Sequence, residues 1–416
     1  MAGKFTLGWR QVWLALVLLS VGSMVTVTFG ILSVPLLTEF GPSRMTLMLP
    51  MSVIAVIMAL LGPVLGPLMD RFSLRLTVAV GGVLLSAGYV ALSYVTEFWQ
   101  VMVVYGLFMG PSQLTVGNMA MTVLVARWFS GMRGRAMGIA LTGVSVGGFV
   151  FPLLAQFLLD TFDWRTALRV FAGILALIVF PCVLMMIDRP SDVGLHPDGA
   201  DEEPEHADAD ALAAAGLTNR QILSDPTFWI FALILSVVFS AMRGVITNIA
   251  PMATDEGIDA TYVAYLFSIY SIAGVVAKLG YAAIADRADP RKLLLMTLLG
   301  TCAAYGCLIF AERGFVLIAC GALMLGFFGG ALLPTQGYLV PRVFGRGVVG
   351  RVSGLLGLAL FVFNFASPPL FGLIHDISGE YDAVFITYLA MTLGTMLLLP
   401  RMRVDPLEPA VPIGAG

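Results

Sequence analysis

Gly66-Pro-Leu-Met-Asp70-Arg71-Phe-Ser-Leu-Arg75 is a short charged loop set between two long apolar runs, 45–69 and 76–95. A glycine here lets two helices approach closely. The aspartate stands at a helix end, where it can pair with arginines or with a neighbouring helix terminus. A loop of this kind is useful to a protein that must hold and then release one arrangement of its helices.

Outward from that loop the chain repeats the same theme. Of its 416 residues 59% are hydrophobic and only 12% charged, against about a quarter charged in an ordinary soluble domain. Apolar stretches fall near 11–38, 45–69, 76–95, 99–126, 136–159, 166–187, 227–251, 261–285, 293–311, 315–341, 350–374 and 383–400. Each reaches, or nearly reaches, the ~17–25 residues that cross a bilayer. The first, after Lys4 and Arg10, runs on without a small-residue cleavage site and reads as an uncleaved helix. The expected fold class is all-α and integral to the membrane, with twelve transmembrane helices.

Charge placement sets the expected orientation. With the N-terminus inside, the inner segments carry most of the Lys and Arg, among them Arg71, Arg75, Arg127, Arg135, Arg189, Arg291, Arg342, Arg351 and Arg403. The outer segments carry only Arg44, Arg165, Arg169 and Arg313, a positive-inside bias. Trp9, Trp13, Trp99, Trp128, Trp164 and Trp229 all sit at span ends, where amphipathic rings prefer the interface. A multi-pass protein of a bacterial inner (plasma) membrane is expected, with both termini cytoplasmic.

One long polar insertion divides the chain. Asp188 to Pro226 contains PDGADEEPEHADADALAAA, acidic and free of aromatics, and reads as a disordered linker. His196 and His206 lie in it with no metal-site spacing, and Cys182, Cys302, Cys307 and Cys320 fall within spans as packing residues rather than ligands or a disulfide framework. No metal or cofactor is expected. At a shift of 216 residues Pro35 matches Pro251, Asp70-Arg71 matches Asp286-Arg287, and Asp160 matches Asp376. The expected domains are a six-helix bundle at 1–187, a linker at 188–226 and a second bundle with a short tail at 227–416, related by pseudo-symmetry.

The loop at 66–75 resembles the GxxxDRxxxR signature of the major facilitator superfamily. Its second copy, Asp286-Arg287-Ala-Asp-Pro-Arg291-Lys292, has Ala282 at the glycine position. The resemblance implies the major facilitator fold and a conformational latch made of Gly66, Asp70, Arg71, Arg75, Asp286, Arg287 and Arg291. Within the superfamily, Phe29 to Arg44 and Ala126 to Gly138 look like the bacterial monocarboxylate porters and oxalate:formate antiporters. Lys278, in Val275-Val-Ala-Lys278, falls where those porters carry a substrate-binding arginine. A lysine keeps the positive charge but loses the planar fork. Gly274 stands where the porters have a helical acid, and neither the porters' lysine in the first span nor the antiporters' lysine in the eleventh has a counterpart. Proton symport therefore does not simply carry over.

Two basic residues lie deep in spans, Arg243 in the seventh and Lys278 in the eighth, with no carboxylate at comparable depth. A charge at mid-bilayer costs about 2.5–3.5 kcal/mol even on the lenient insertion scale, so each is expected to face a cavity or partner. Ser271, Gly274 and Lys278 share one helical face, and Arg243 shares one with Thr247. Gln113 and Asn118 in the fourth span, Asn248 in the seventh, Gln336 in the tenth and Asn364 in the eleventh are further candidates for substrate contact, with interhelical hydrogen bonding as the bland alternative. Gly143, Gly147, Gly148 and Pro152 in the fifth span point to close helix packing.

These readings imply a secondary active transporter of a small organic anion, a monocarboxylate by resemblance, working by alternating access as a monomer. A coupling proton or an exchanged anion would drive it, since no GxxxxGK[ST] loop offers ATP. Export of amphipathic or drug-like compounds is the rival within the class, and a transport-dead nutrient sensor the rival outside it. An enzyme is not expected, because no nucleophiles, acids or metal ligands cluster at depth and His375 alone among the histidines is near a span, at its outer end. Nothing suggests a nucleic-acid partner.

Overall fold

The computed structural model describes residues 2–129, 132–199, 218–284, 289–344 and 349–403. The first three helices run Ala2–Phe40, Arg44–Arg71 and Leu74–Leu92; the fifth and sixth are Arg133–Thr161 and Trp164–Met185. In the second half the seventh to ninth are Pro226–Asp255, Ala260–Ile284 and Pro290–Ile309, and the last two are Val349–Ser378 and Asp382–Leu398. Eleven stretches of described helix are long and apolar enough to cross a membrane. The fourth crossing is not one helix, contrary to the continuous span read at 99–126. It is made of Phe98–Val104, a widened turn at Tyr105–Met109, Gly110–Val116 and Asn118–Trp128.

The fourth crossing breaks at Gly117 because the first helix presses on it there. A Cβ on Gly22 would stand 2.7 Å from the Gly117 Cα, and a Cβ on Gly117 would stand 2.2 Å from the Gln113 carbonyl oxygen. The tenth crossing breaks at the matching place, between Phe315–Gly330 and Leu332–Phe344. Prolines recur at the repeat shift as well: Pro35 and Pro251 lie inside the first and seventh helices, Pro152 and Pro368 inside the fifth and eleventh. The duplication read in the sequence is thus a duplication of helix shape.

The buried side chains fall into three clusters, one of which joins the halves through Ile31. The first half buries Phe29, Tyr89 and Tyr105. The second half has one cluster around Tyr305, Phe371 and Phe385 and another around Phe228, Leu235 and Val340. The outside is apolar too, with Leu177 at 77% and Leu397 at 79% exposure, which suits hydrocarbon rather than water as the surrounding medium. Trp99 and Trp229 are likewise exposed near helix starts, and Trp13 about three turns into the first helix, positions suited to an interfacial belt.

The two ends of the insertion are built into the bundles rather than left in solvent. Pro190 and Leu195 are buried, and Arg75 donates its backbone N–H to Asp188 at 2.7 Å. At the far end Thr218 and Gln221 form a capping box, and Ile222 is buried beside Phe228. The acidic stretch 200–217 lies outside the described residues. The departure from an entirely disordered linker comes from its few apolar residues, which find a bundle surface within reach. The cysteines are free: Cys182 is buried and Cys320 exposed, so the expected packing role does not extend to Cys320.

The halves meet along a seam in which the second helix faces the eleventh, the fifth faces the eighth and the first faces the seventh. Toward the Arg44 end the seam has points of tight contact. A Cβ on Gly372 would fall within 2.4 Å of the Arg44 backbone, one on Gly148 2.4 Å from Ser271 Oγ and one on Gly30 2.7 Å from the Phe267 ring. Toward the arginine-rich end of the same helices, Gly62, Gly138, Gly280, Gly354 and Gly357 have room for a Cβ with nothing within 4 Å.

Candidate functional site

Lys278 and Arg243 both reach into the seam. Lys278 Nζ donates to Ser145 Oγ at 2.8 Å, from the eighth helix to the fifth. The strip below it is pressed on the same partner: Gly148 meets Ser271 Oγ, and a Cβ on Gly274 would be 3.6 Å from Ser145 Oγ. The face shared by Ser271, Gly274 and Lys278 therefore exists, but as a packing face with the ammonium at its edge.

Arg243 lies near the middle of the seventh helix. One terminal nitrogen donates to the Met51 carbonyl of the second helix at 3.4 Å, and Nε is buried with no hydrogen-bond partner. Thr247 Oγ1 turns back to the Arg243 carbonyl at 2.8 Å, and Asn248 Nδ2 to the Gly244 carbonyl at 2.9 Å, leaving Asn248 Oδ1 buried and unpartnered. Among the described residues, ion pairs include Arg44–Asp255, Arg165–Glu39 and His375–Asp255, and neither Lys278 nor Arg243 is paired with a carboxylate. A buried guanidinium with an unused donor is a group prepared for an acceptor that the protein does not supply.

The neutral candidates divide. Gln113 Nε2 donates to Thr26 Oγ1 at 3.1 Å, joining the fourth crossing to the first helix. Asn364 Nδ2 is spent on the Leu360 carbonyl one turn back at 2.9 Å. Asn118 is exposed just beyond the Gly117 break, and Gln336 is half-buried on the tenth crossing.

At the arginine-rich face, Arg127 donates to the Met69 carbonyl at 2.6 Å, tying the fourth crossing to the end of the second helix beside Asp70. Arg291 puts Nε and Nη2 on the Met402 carbonyl at 3.1 and 2.7 Å, so its contact is with the end of the twelfth helix rather than with another half. Gly66, Asp70 and Arg71 fall on the last turns of the second helix. Their side chains, and Asp286 and Arg287 altogether, lie outside what the structure describes.

Twelve crossings in two shape-matched halves, with the interface helices and charged loops in these places, are matched by the family profile of the Major Facilitator Superfamily over residues 13–248 and 232–414. The chain belongs to the Major Facilitator Superfamily. Like the superfamily it is a multi-pass membrane transporter and not an enzyme.

Among curated relatives it is similar to mouse monocarboxylate transporter 11, 28% identical over 82% of this chain and 75% of that one. Bovine monocarboxylate transporter 13 is 27% identical over 82% and 76%, and human monocarboxylate transporter 6 is 28% identical over 90% and 76%. Among solved structures it superposes on a bacterial homologue of the human lysosomal transporter Spinster. The inward-facing, occupied form gives a TM-score of 0.68 at 14% identity over 98% of both chains, and the unoccupied form 0.65 at 16% identity over 96% and 95%. The monocarboxylate-transporter likeness read from three sequence segments thus extends over most of the superfamily fold.

A cavity of about 510 Å³ opens elsewhere, at the Arg44 end, between the first, fifth, seventh and eighth helices. Its rim carries Glu39, Asp160 and Asp163. Those carboxylates oppose an anion by like charge, and neither Arg243 nor Lys278 lines that cavity. Ser145 and the Met51 carbonyl, the partners that hold the two cations across the seam, were not legible in the sequence, since an isolated serine and a backbone oxygen carry no pattern.

Proposed function

We propose that the chain is a secondary active transporter of a small organic anion, a monocarboxylate, moved by alternating access of its two halves. The observation that carries this reading is the pair of cations held in the seam without a carboxylate partner. Lys278 rests on a neutral serine, and Arg243 keeps a buried Nε–H unused. A carboxylate entering from the open, arginine-rich end of the seam would meet a point charge at Lys278 and a planar donor at Arg243. The names of the curated relatives support the same substrate class.

In this mechanism the halves rock about the seam so that the site faces one side and then the other. The arginine-rich face is cytoplasmic in the plasma membrane, following the positive-inside rule. Asp70, Arg71, Arg75, Asp286, Arg287 and Arg291 serve the contacts that form and break there, and the driving force is a proton gradient or anion exchange.

The test is uptake of labelled lactate and pyruvate into proteoliposomes, with and without a proton gradient, for wild type, Lys278→Ala and Arg243→Ala. Accumulation by wild type, reduced at least tenfold in either variant that remains folded, is expected. A tenfold loss corresponds to about 1.4 kcal/mol of binding or transition-state free energy. No carboxylate flux through folded, inserted wild-type protein would overturn the reading and favour export of amphipathic compounds.

A further inference from the structure

The second and eleventh helices meet at Gly372, where a Cβ would fall within 2.4 Å of the Arg44 backbone. One turn on, Asp376 accepts from the backbone N–H of Arg44 at 2.8 Å and of Met45 at 2.9 Å, and so caps the second helix from the other half. At the repeat shift of 216 residues the counterparts of Gly372 and Asp376 are Gln156 and Asp160, on the fifth helix. The junction there is built differently. Gln156 has a side chain where Gly372 has none, and the eighth helix, which the fifth faces, starts on a cap of its own: the Thr261 N–H donates to Asp259 Oδ1 at 2.9 Å. Asp160 is thereby left without the amides that its counterpart holds. The cavity of about 510 Å³ lies at this place, lined by Gln156 and Asp160 from one half and Val263 from the other.

The unused polar atoms of the cavity are acceptors. Gln156 is only 7% exposed, and its Nε2 donates to Asp160 at 2.7 Å, leaving Oε1 with no donor among the described residues. Pro35 has no N–H, so the Ile31 carbonyl four residues back loses its helical donor, and both residues line the cavity. Glu39 is already paired with Arg165, and Asp163 caps the sixth helix through the Thr166 N–H. Asp160 has no basic partner among the described residues. Around these acceptors the walls are apolar, with Val34, Leu159 and Phe162 among them.

We propose that this cavity binds a hydrophobic organic ammonium ion, its charged head on Asp160 and Gln156 and its apolar body in the space between the halves. The ammonium supplies both the N–H donors and the charge that the cavity lacks. An anion is opposed by the same acids, and a neutral apolar molecule leaves the acceptors unmet. The volume suits a small ligand. The site is separate from the one assigned to the carboxylate and does not depend on that reading. Between the cavity and Lys278, Gly148 meets Ser271 Oγ and Gly30 meets the Phe267 ring. Because both halves line the cavity, it is lost when they part at this end, so an occupant favours the arrangement described here.

Trp164 also lines the cavity and supplies the readout. The test is quenching of tryptophan fluorescence by para-bromobenzylamine, whose bromine quenches on contact, in phosphatidylcholine nanodiscs at neutral pH, with empty nanodiscs as the partition control. Wild type should show a saturable component that Trp164→Phe lacks. The alcohol and the carboxylate of the same body, para-bromobenzyl alcohol and para-bromobenzoate, should give no saturable component at Trp164. Asp160→Asn keeps the shape of the side chain and should weaken amine binding about three- to tenfold, the scale of one partly exposed ionic hydrogen bond. Gln156→Gly, which restores the residue found in the other half, should abolish it. Val263→Trp, which fills the cavity from the eighth helix, should do the same and serves where Gln156→Gly does not fold. Equal saturation by amine and alcohol, or an affinity for the amine unchanged in folded Asp160→Asn and Val263→Trp, would overturn the proposal. Neither result bears on carboxylate transport, which is tested by uptake alone.

Discussion

At the scale of single residues, what separates this chain from a generic helical membrane protein is the placement of two deep cations without a carboxylate partner and of acids at one end. Lysine at 278 retains charge and gives up bidentate geometry, and its ammonium donates to the neutral hydroxyl of Ser145. On the opposite face the acids crowd one another. At Glu256, outside the spans, burial pushes the carboxyl up from the ordinary glutamate range, and Glu312, Asp255, Asp382 and Glu380 push it the same way. A raised folded-state value means that ionisation costs the folded protein stability, fully above that value and not at all below the unfolded value of about 4.3. Because the side chain is largely exposed, water screens most of the effect. Glu256→Gln should raise the thermal midpoint in detergent slightly at pH 8 and leave it unchanged near pH 4, as followed by differential scanning fluorimetry.

At the scale of elements, glycines decide where helices touch. The break in the fourth crossing is held by Gly117 against Gly22, and the fifth helix lies against the first through Gly143 and Gly147, whose Cβ atoms would fall 2.0 Å from the Leu16 carbonyl oxygen and 2.3 Å from that of Ser20. These contacts are with backbone, which cannot swing away as a side-chain tip can. Gly117→Ala and Gly143→Ala are each expected to destabilise the protein by about 1–3 kcal/mol through overpacking. Gly138→Ala, on the same fifth helix with nothing within 4 Å, should leave stability unchanged or slightly raised. Thermal midpoints of the three purified variants check the contrast, and equal loss in all three would refute the packing account.

At the scale of the whole molecule, the second and eleventh helices touch at the Arg44 end, at Gly372, while glycines of the seam helices at the arginine-rich end have open space beside them. Alternating access requires the opposite arrangement to exist as well, with Gly138, Gly280, Gly354 and Gly357 brought toward partners across the seam. Cysteines placed at Gly354 and Gly138, with the native cysteines replaced, should react readily with a membrane-impermeant thiol reagent applied to the arginine-rich face. The rate should fall severalfold when a transported carboxylate shifts the population toward the other state. A cysteine exposed equally under all conditions would argue against closure of that end.

By itself the sequence determined what depends on composition, local order and periodicity. Twelve apolar runs need twelve crossings because hydrocarbon leaves no other way to satisfy a backbone, and the repeat at 216 residues fixed the two-halved plan. Lys278 and Arg243 were legible because a charge inside an apolar run is rare and expensive. The tertiary structure decided what depends on distance between remote segments. Ser145 meets Lys278 across 133 positions of chain, and Asp376 caps the helix that begins at Arg44 across 332. In the sequence, Arg44 read as one of a few outer charges and Asp376 as the repeat partner of Asp160. No local pattern marks an aspartate as the cap of a helix in the other half, because that role exists only once the halves are in contact.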